Sequence, residues 1–346
     1  MSAKIPALNS QAAAEVQGLL DRKTKPTGSL GRLEELAVSL AGMSGRLDAS
    51  FPKKVVLVAA ADHGVARQGV SLYPAEVTPQ MVLNFLSGGA GINVLARRAG
   101  ARVVVADAGV NTEGFPAHPD LLRYSAGRGS ADLSQGPAMS RETAQRCLDN
   151  GRDAVAGLAK GGLDLLALGE MGIGNTTPSA ALCACILSLA PEAVTGRGTG
   201  LDADAWTRKV QVIAKALELN RPDKSDGLDC LAKVGGFEIG LLAGAMLEAA
   251  ARRIPVVLDG FITGAAALVA CTLDPDVKGY LLASHQSREL GHRHLLEHLG
   301  LRPYLNLDLR LGEGTGAALL LPLVDSVAAL LKEMATFESA GVSDKA

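Results

Sequence analysis

The chain predicts an α/β fold: a doubly wound, mostly parallel six-stranded sheet of Rossmann-like type, with a small helical domain drawn from both termini. Three observations carry this expectation. Six short segments rich in Val, Leu and Ala alternate with helical patterns along the 346 residues, and such alternation argues for βαβ units. Several of those segments are apolar throughout, as strands buried on both faces of a parallel sheet are. The two ends, by contrast, read as helix only.

Residues 1–50 hold helices, including GSLGRLEELAVSLAGMSGRL, joined through the basic turn DRKTKPTGSLG. The strands follow as KVVLVAAADHG, ARVVVADAGV, LDLLALGEMGIG, IPVVLDGFITG, KGYLLASHQS and PYLNLDLRLGEG, the last alternating over residues 304–311. One helix with a proline at position 322 is expected over residues 315–338, and the last eight residues read as a frayed tail. The expected division is a helical domain of 1–50 with 315–346 and a sheet domain of 51–314.

Composition narrows the function classes. Apolar residues make up 48% of the chain and aromatic residues 3%, so the core is expected to be built from Ala, Leu, Val and Gly. The 40 glycines lie between periodic segments rather than in low-complexity blocks. A formal charge of −2 gives no electrostatic case for nucleic acid or an anionic membrane. No apolar stretch reaches the roughly 18 to 20 residues of a membrane span, and the N-terminus lacks the pattern of a secretory signal. Five cysteines without a CxxC fit neither a disulfide framework nor a zinc ribbon. Cys183 and Cys185 read as buried thiols of an apolar helix. A soluble cytoplasmic protein is expected.

Ionisable and polar residues close the strands: Asp62 and His63, Asp107, Glu170, Asp259, Ser284 and His285, then Glu313. Ligands of open α/β sheets bind beyond those strand ends. Asp107 reads as a cap, whereas the glycine-flanked Glu170 and Glu313 read as functional, because glycine lets a ligand approach the backbone. In GEMGIGNTTPSAALCACIL, Gly172 and Gly174 precede Asn175, Thr176, Thr177 and the helix-opening Pro178. Backbone N–H groups there, with two hydroxyls, can hold a phosphate, although the segment is neither a P-loop nor a full GxGxxG. A plain capped helix start is an equal reading. TGRGTG, with Gly198 and Gly200, is a second glycine loop of the same ambiguity, and Lys209 beyond it can supply a cation.

Two rival functions come from the same residues. His294, Glu297 and His298 match HxxEH, the inverted zinc-protease pattern of a metal-dependent hydrolase. No third ligand accompanies them, and Arg288, Arg293 and Arg302 would repel a dication, so a solvated helix face is the preferred reading. A non-catalytic nucleotide-binding regulator would carry a phosphate loop without the ring of acids present here.

KTKPTGSLGRLE, AADHGVARQGVSLYPAEVTPQMV, GGAGINVLAR, LGEMGIGNTTPSAAL, GRGTGLD, KVGGFEIG, LDGFITGAAAL, SHQSRELGH and LNLDLRLGEGTGAALLLPLV run in order over nearly the whole chain. Together they resemble the nicotinate-nucleotide–dimethylbenzimidazole phosphoribosyltransferase family of cobalamin lower-ligand synthesis. The resemblance implies transfer of phosphoribose from nicotinate mononucleotide to a benzimidazole, without metal or cofactor, by a homodimer with the two-domain fold above. It makes Glu313 the general base and residues 170–177 the phosphate loop. It likewise implies that GRGTG, Lys209, Glu238, Asp259 and Ser287 face ribose and phosphate. Tyr73 and Met81 fall in the implied base pocket, where smaller or more polar residues are expected, so the preferred aromatic base is the open point.

Overall fold

The computed structural model describes residues 4–196, 200 and 202–343. Two helices come first, α1 (Ser10–Asp21) and α2 (Arg32–Ser44). The Asn9 side chain caps α1 by accepting from the Ala12 N–H at 3.0 Å. Strand β1 (Lys54–Ala61) is buried along its whole length, the consequence of an unbroken apolar run. Next come α3 (Val77–Leu86), α4 (Gly91–Arg98), β2 (Ala101–Gly109), β3 (Leu121–Arg123) and α5 (Arg141–Lys160). They are followed by β4 (Leu165–Met171), α6 (Thr176–Leu187), the single turn α7 (Pro191–Val194) and α8 (Ala203–Asn220). The remainder is α9 (Gly227–Val234), α10 (Phe237–Ala251), β5 (Val256–Leu258), α11 (Phe261–Leu273), β6 (Leu281–Ala283) and α12 (Leu290–Leu299). Helix α13 (Thr315–Glu333) and the turn α14 (Phe337–Ala340) close the chain.

All six strands are parallel, in the order β3-β2-β1-β4-β5-β6. The chain enters at the centre: Lys54 lies opposite Ala101 on one side and Leu165 on the other. The winding direction therefore reverses between β1 and β4, which opens a crevice at their carboxyl ends.

Three sequence expectations change. The run over residues 304–311 is not a strand: it meets the sheet only through a bridge between His285 and Leu305. Asp308 turns to φ 55°, and Leu307 and Leu311 are 55% and 61% exposed. Apolar alternation there has no core to face. The sixth strand is instead β3, an edge strand in which only Leu121 is buried, so no apolar run marks it. The expected helix over 315–338 stops at Glu333, where Met334 takes an extended conformation. Finally, α13 is long and apolar enough to cross a membrane, with a mean hydropathy of 1.5. Asp325 and Ser326 interrupt its apolar run, which hid this from a count of consecutive residues. Half of it is buried in protein, packed against α2, α4, β4 and β5.

The basic turn between α1 and α2 ties the two ends together. Lys23 Nζ donates to the Leu331 and Met334 carbonyls at 2.7 and 2.6 Å, satisfying the C-terminus of α13. Lys25 pairs with Glu34 at 2.8 Å in a buried setting, and Arg32 stacks 4.1 Å over the Tyr304 ring. Apolar side chains of α1, α2 and α13 join those of the sheet in one continuous core.

Candidate active site

A cavity of about 360 Å³ opens at the carboxyl ends of β4, β5 and β6. A second, of about 330 Å³, lies across the crevice at the ends of β1 and β2. Tyr73 stands on the wall of both.

The floor of the first cavity is the loop before α13. Gly312, Glu313 and Gly314 are three successive left-handed residues, at φ 83°, 64° and 90°. For a glutamate this backbone is strained, a state that persists only where neighbours enforce it. Those neighbours are specific. The loop crosses the end of β4 so closely that a Cβ on Gly169 would overlap the Glu313 backbone. One on Gly312 would overlap the Glu170 carboxylate. From the end of β5, Asp259 accepts the N–H groups of Gly314, Gly316 and Ala317 at 3.2, 2.7 and 3.1 Å. Asp259 thus caps α13 and fixes the loop in one bond set.

The Glu313 side chain is 6% exposed, and its Oε2 has no protein partner among the described residues. Burial raises its pKa above the usual carboxylate range, against one backbone N–H from Ile92 in the first turn of α4. Glu170 is buried too, and loss of water pushes it up to about 8 although the Asn175 amide donates to it. Burial pushes Asp259 up to about 7 against its three amide donors. Three carboxyl groups therefore share one poorly hydrated pocket.

At the other end of the cavity the charge is positive. Lys209 is buried and reaches the Thr176 hydroxyl at 2.7 Å. Burial lowers it to about 8, partly offset by Glu289. Glu289 is itself raised by burial, and Lys209 and Arg310 oppose that rise. The α6 N-terminus, with Gly172, Gly174, Asn175 and Thr176, faces the same space. Lys209, Arg310 and the N-terminus of α6 concentrate positive charge at this end of the cavity.

Placement of the expected residues is mixed. Glu313, Glu170, Gly172, Gly174, Asn175, Thr176, Lys209, Asp259, Ser287, Tyr73 and Met81 all line the first cavity. Thr177 does not: it is buried at the start of α6 with its hydroxyl unpartnered among the described residues. Glu238 lies outside the cavity and holds His63 through a 2.9 Å bond, both side chains fully buried. Gly200 is exposed and away from the lining, and Gly198 falls outside the described residues. Asp107 caps no helix; its carboxylate accepts from Gly109 and Val110 and closes the turn after β2.

His285, Glu289, Arg310 and Leu311 also line the cavity and were not singled out as site residues from sequence. His285 was visible as a strand end, but Arg310 was hidden in the alternating run before the glycines. The Ser284 hydroxyl donates to the Asp259 carbonyl at 3.2 Å and lies 2.9 Å from His285 Nδ1. That arrangement suits an Nδ1–H tautomer with Nε2 as acceptor. Desolvation lowers His285 to about 4, so it is neutral near pH 7.

The HxxEH residues assemble nothing. Glu297 pairs with Arg293 at 2.8 Å on the solvent face of α12, His294 is half-buried and His298 exposed. Among the described residues no group of three His, Cys, Asp or Glu side chains is arranged to hold a metal ion.

The phosphoribosyltransferase family model (DBI_PRT) matches residues 5–342. The nicotinate-nucleotide–dimethylbenzimidazole phosphoribosyltransferase of Chloroflexus aggregans is 55% identical over 338 residues, 98% of this chain and 96% of that protein. The enzyme of the same name from Geobacter sulfurreducens is 52% identical over 341 residues, covering 99% and 97%. A crystal structure of the Thermus thermophilus enzyme of that name superposes with a TM-score of 0.92 at 48% identity. It covers 98% of this chain and 100% of the other.

Proposed function

The chain belongs to the nicotinate-nucleotide–dimethylbenzimidazole phosphoribosyltransferase family, and we propose that Glu313 is its general base and the Lys209 end of the cavity its phosphate subsite. The reaction moves 5-phosphoribose from nicotinate mononucleotide to 5,6-dimethylbenzimidazole, giving α-ribazole 5'-phosphate and nicotinate.

One carboxylate is enough for this chemistry. A glycosidase needs a second, because an alcohol leaving group must be protonated. Here the leaving nitrogen is already a pyridinium and departs neutral by taking the bond electrons. The incoming benzimidazole attacks through one ring nitrogen and must lose its N–H proton. A carboxylate whose pKa is raised by burial is a better acceptor for that proton than an exposed one. Attack from the face opposite the nicotinate converts the β-glycosidic bond to α.

Glu170 fits beside the sugar. Burial keeps it largely protonated at neutral pH. A pyridinium nucleotide, or the oxocarbenium-like sugar that follows, would favour its ionised form and be stabilised in return. The anion subsite suits a monophosphate held by Lys209, Arg310 and the α6 N-terminus. Tyr73 and Met81 share a cavity wall, and we assign them to the base subsite.

The described parts of the terminal segments 1–50 and 315–346 are read as a helical brace for the Glu313 loop, because α13 carries the loop and α2 packs on α13. We place the enzyme in the cytoplasm, where five unpaired thiols stay reduced. We also read it as a homodimer, since Tyr73 and Leu311 leave 53% and 61% of their surface open at the cavity.

The observation that carries the assignment is the strained, buried Glu313 with a free carboxylate oxygen in the cavity. Incubation with nicotinate mononucleotide and a panel of benzimidazoles, purines and phenols, read by mass spectrometry, tests it. Formation of α-ribazole phosphate and nicotinate is expected; nucleotide hydrolysis without a base adduct would refute the assignment.

A further inference from the structure

Two of the five cysteines meet. Cys185 lies near the end of α6 and Cys230 in α9, 45 residues apart in sequence, and their Sγ atoms are 3.8 Å from each other. Among the described residues no other two cysteines are hydrogen-bonded to each other. We propose that Cys185 and Cys230 form an intramolecular disulfide when the protein meets a peroxide, making the α6–α9 contact a reversible oxidation site.

The two thiols are not equivalent. Cys230 is buried, with its Sγ 3.1 Å from the Asp223 carbonyl, whereas Cys185 is half-buried. The hydrogen bond between them holds the Cys185 thiol below its ordinary pKa, with burial, Asp229 and Asp223 opposing and Lys224 assisting. The same bond, with burial, pushes Cys230 up. Cys185 is thus the better thiolate and the more accessible sulfur, the two properties that select a site of oxidation. Cys230 is placed to resolve it.

The electrons balance over two steps. The Cys185 thiolate attacks one oxygen of hydrogen peroxide, the O–O bond breaks, hydroxide leaves and a sulfenic acid forms. Cys230 sulfur then attacks Cys185 sulfur; the S–O bond breaks, and the hydroxyl leaves as water with the Cys230 proton. Two thiols lose two electrons, peroxide gains two, and two waters result once the first hydroxide is protonated. Because α6 begins at Thr176 on the cavity wall, the bond would tether the far half of that helix to α9.

The reduced full-length chain, freed of reductant, is treated with hydrogen peroxide, denatured and titrated for thiols. The expected count falls from five to three. A tryptic digest should join the 161–197 peptide to the Cys230 peptide, fragment-ion sequencing should place the bond on Cys185 rather than Cys183, and dithiothreitol should separate the two. Cys230→Ser should instead leave a dimedone-trapped sulfenic acid on Cys185. Cys185→Ser should keep all its remaining thiols at the same dose. Five thiols after treatment, a bridge through Cys147, Cys183 or Cys271, a bond between two chains, or thiol loss in Cys185→Ser would each overturn the proposal.

Discussion

Burial pushes the Glu170 carboxyl up to about 8, whereas an exposed glutamate ionises near ~4.3. Folding therefore favours its protonated form. A carboxyl whose folded pKa exceeds its unfolded value stabilises the native state below the unfolded pKa, and that contribution is lost as pH rises through the folded pKa. The Glu170→Gln variant should lose much of the fall in stability between about pH 5 and pH 8, a difference on the order of a few kcal/mol. Denaturant melts at both pH values measure it, and a wild-type slope in the variant would argue against a protonated Glu170. Asp259 and Glu313, also raised, would keep part of the slope. A second residue-scale expectation concerns the base subsite. Tyr73→Ser with Met81→Gln should change the ratio of kcat/KM between bases several-fold while affinity for nicotinate mononucleotide stays near wild type. An unchanged ranking of bases, or a loss of stability instead, would return both side chains to a packing role. At this scale the acids were legible because glycine flanks them in sequence. The cationic end was less so: Lys209 meets Thr176 across 33 residues, and only the fold brings them together.

Between elements, the tightest packing is of α5 on α10. A Cβ on Gly151 would overlap the Leu241 carbonyl, and one on Gly244 the Leu148 carbonyl, so the two backbones touch where a side chain would stand. Gly244→Ala should cost about 2 kcal/mol or more, the usual penalty of overpacking a rigid contact. The folded fraction should keep its kcat, because α10 lines neither end of the first cavity. Thermal melting and an activity assay on the same sample check both halves; an unchanged Tm would refute the close-contact reading. Element types were legible wherever an apolar run was long, as in the seven residues that follow Lys54 in β1. They held for the three-residue strands β5 and β6, which are buried throughout, and failed at the edge strand β3, where only Leu121 is buried. They failed again at residues 304–311, where alternating leucines trace a loop beside the cavity rather than a strand. Alternation there marks no buried face: Leu307 and Leu311 stay largely exposed, and of these leucines only Leu311 reaches the cavity wall.

At the scale of the whole molecule, the reversal of strand order gathers Glu170, Asp259 and His285 at one edge of the sheet, and α13 delivers Glu313 to them. That edge was legible, since every one of these residues ends a strand or opens a helix in the sequence. Glu238 was less so, because its side chain is not on the cavity wall but pairs with His63 behind Gly172. The HxxEH side chains lie outside the cavity lining, although their helix starts beside it at Glu289. His294→Gln with His298→Gln, assayed with and without EDTA, should leave the chemical step within a few-fold of wild type. Loss on chelation, restored by zinc, would reverse that expectation. The central claim, that one glycine-held carboxylate supplies all the acid–base chemistry, rests on Glu313. Its most direct test is the turnover of Glu313→Gln with saturating nicotinate mononucleotide and dimethylbenzimidazole, on protein shown to be folded by circular dichroism and Tm. The account predicts a kcat lower by roughly two to four decades, the usual worth of a general base, with nicotinate mononucleotide still bound. Turnover comparable to wild type would contradict it.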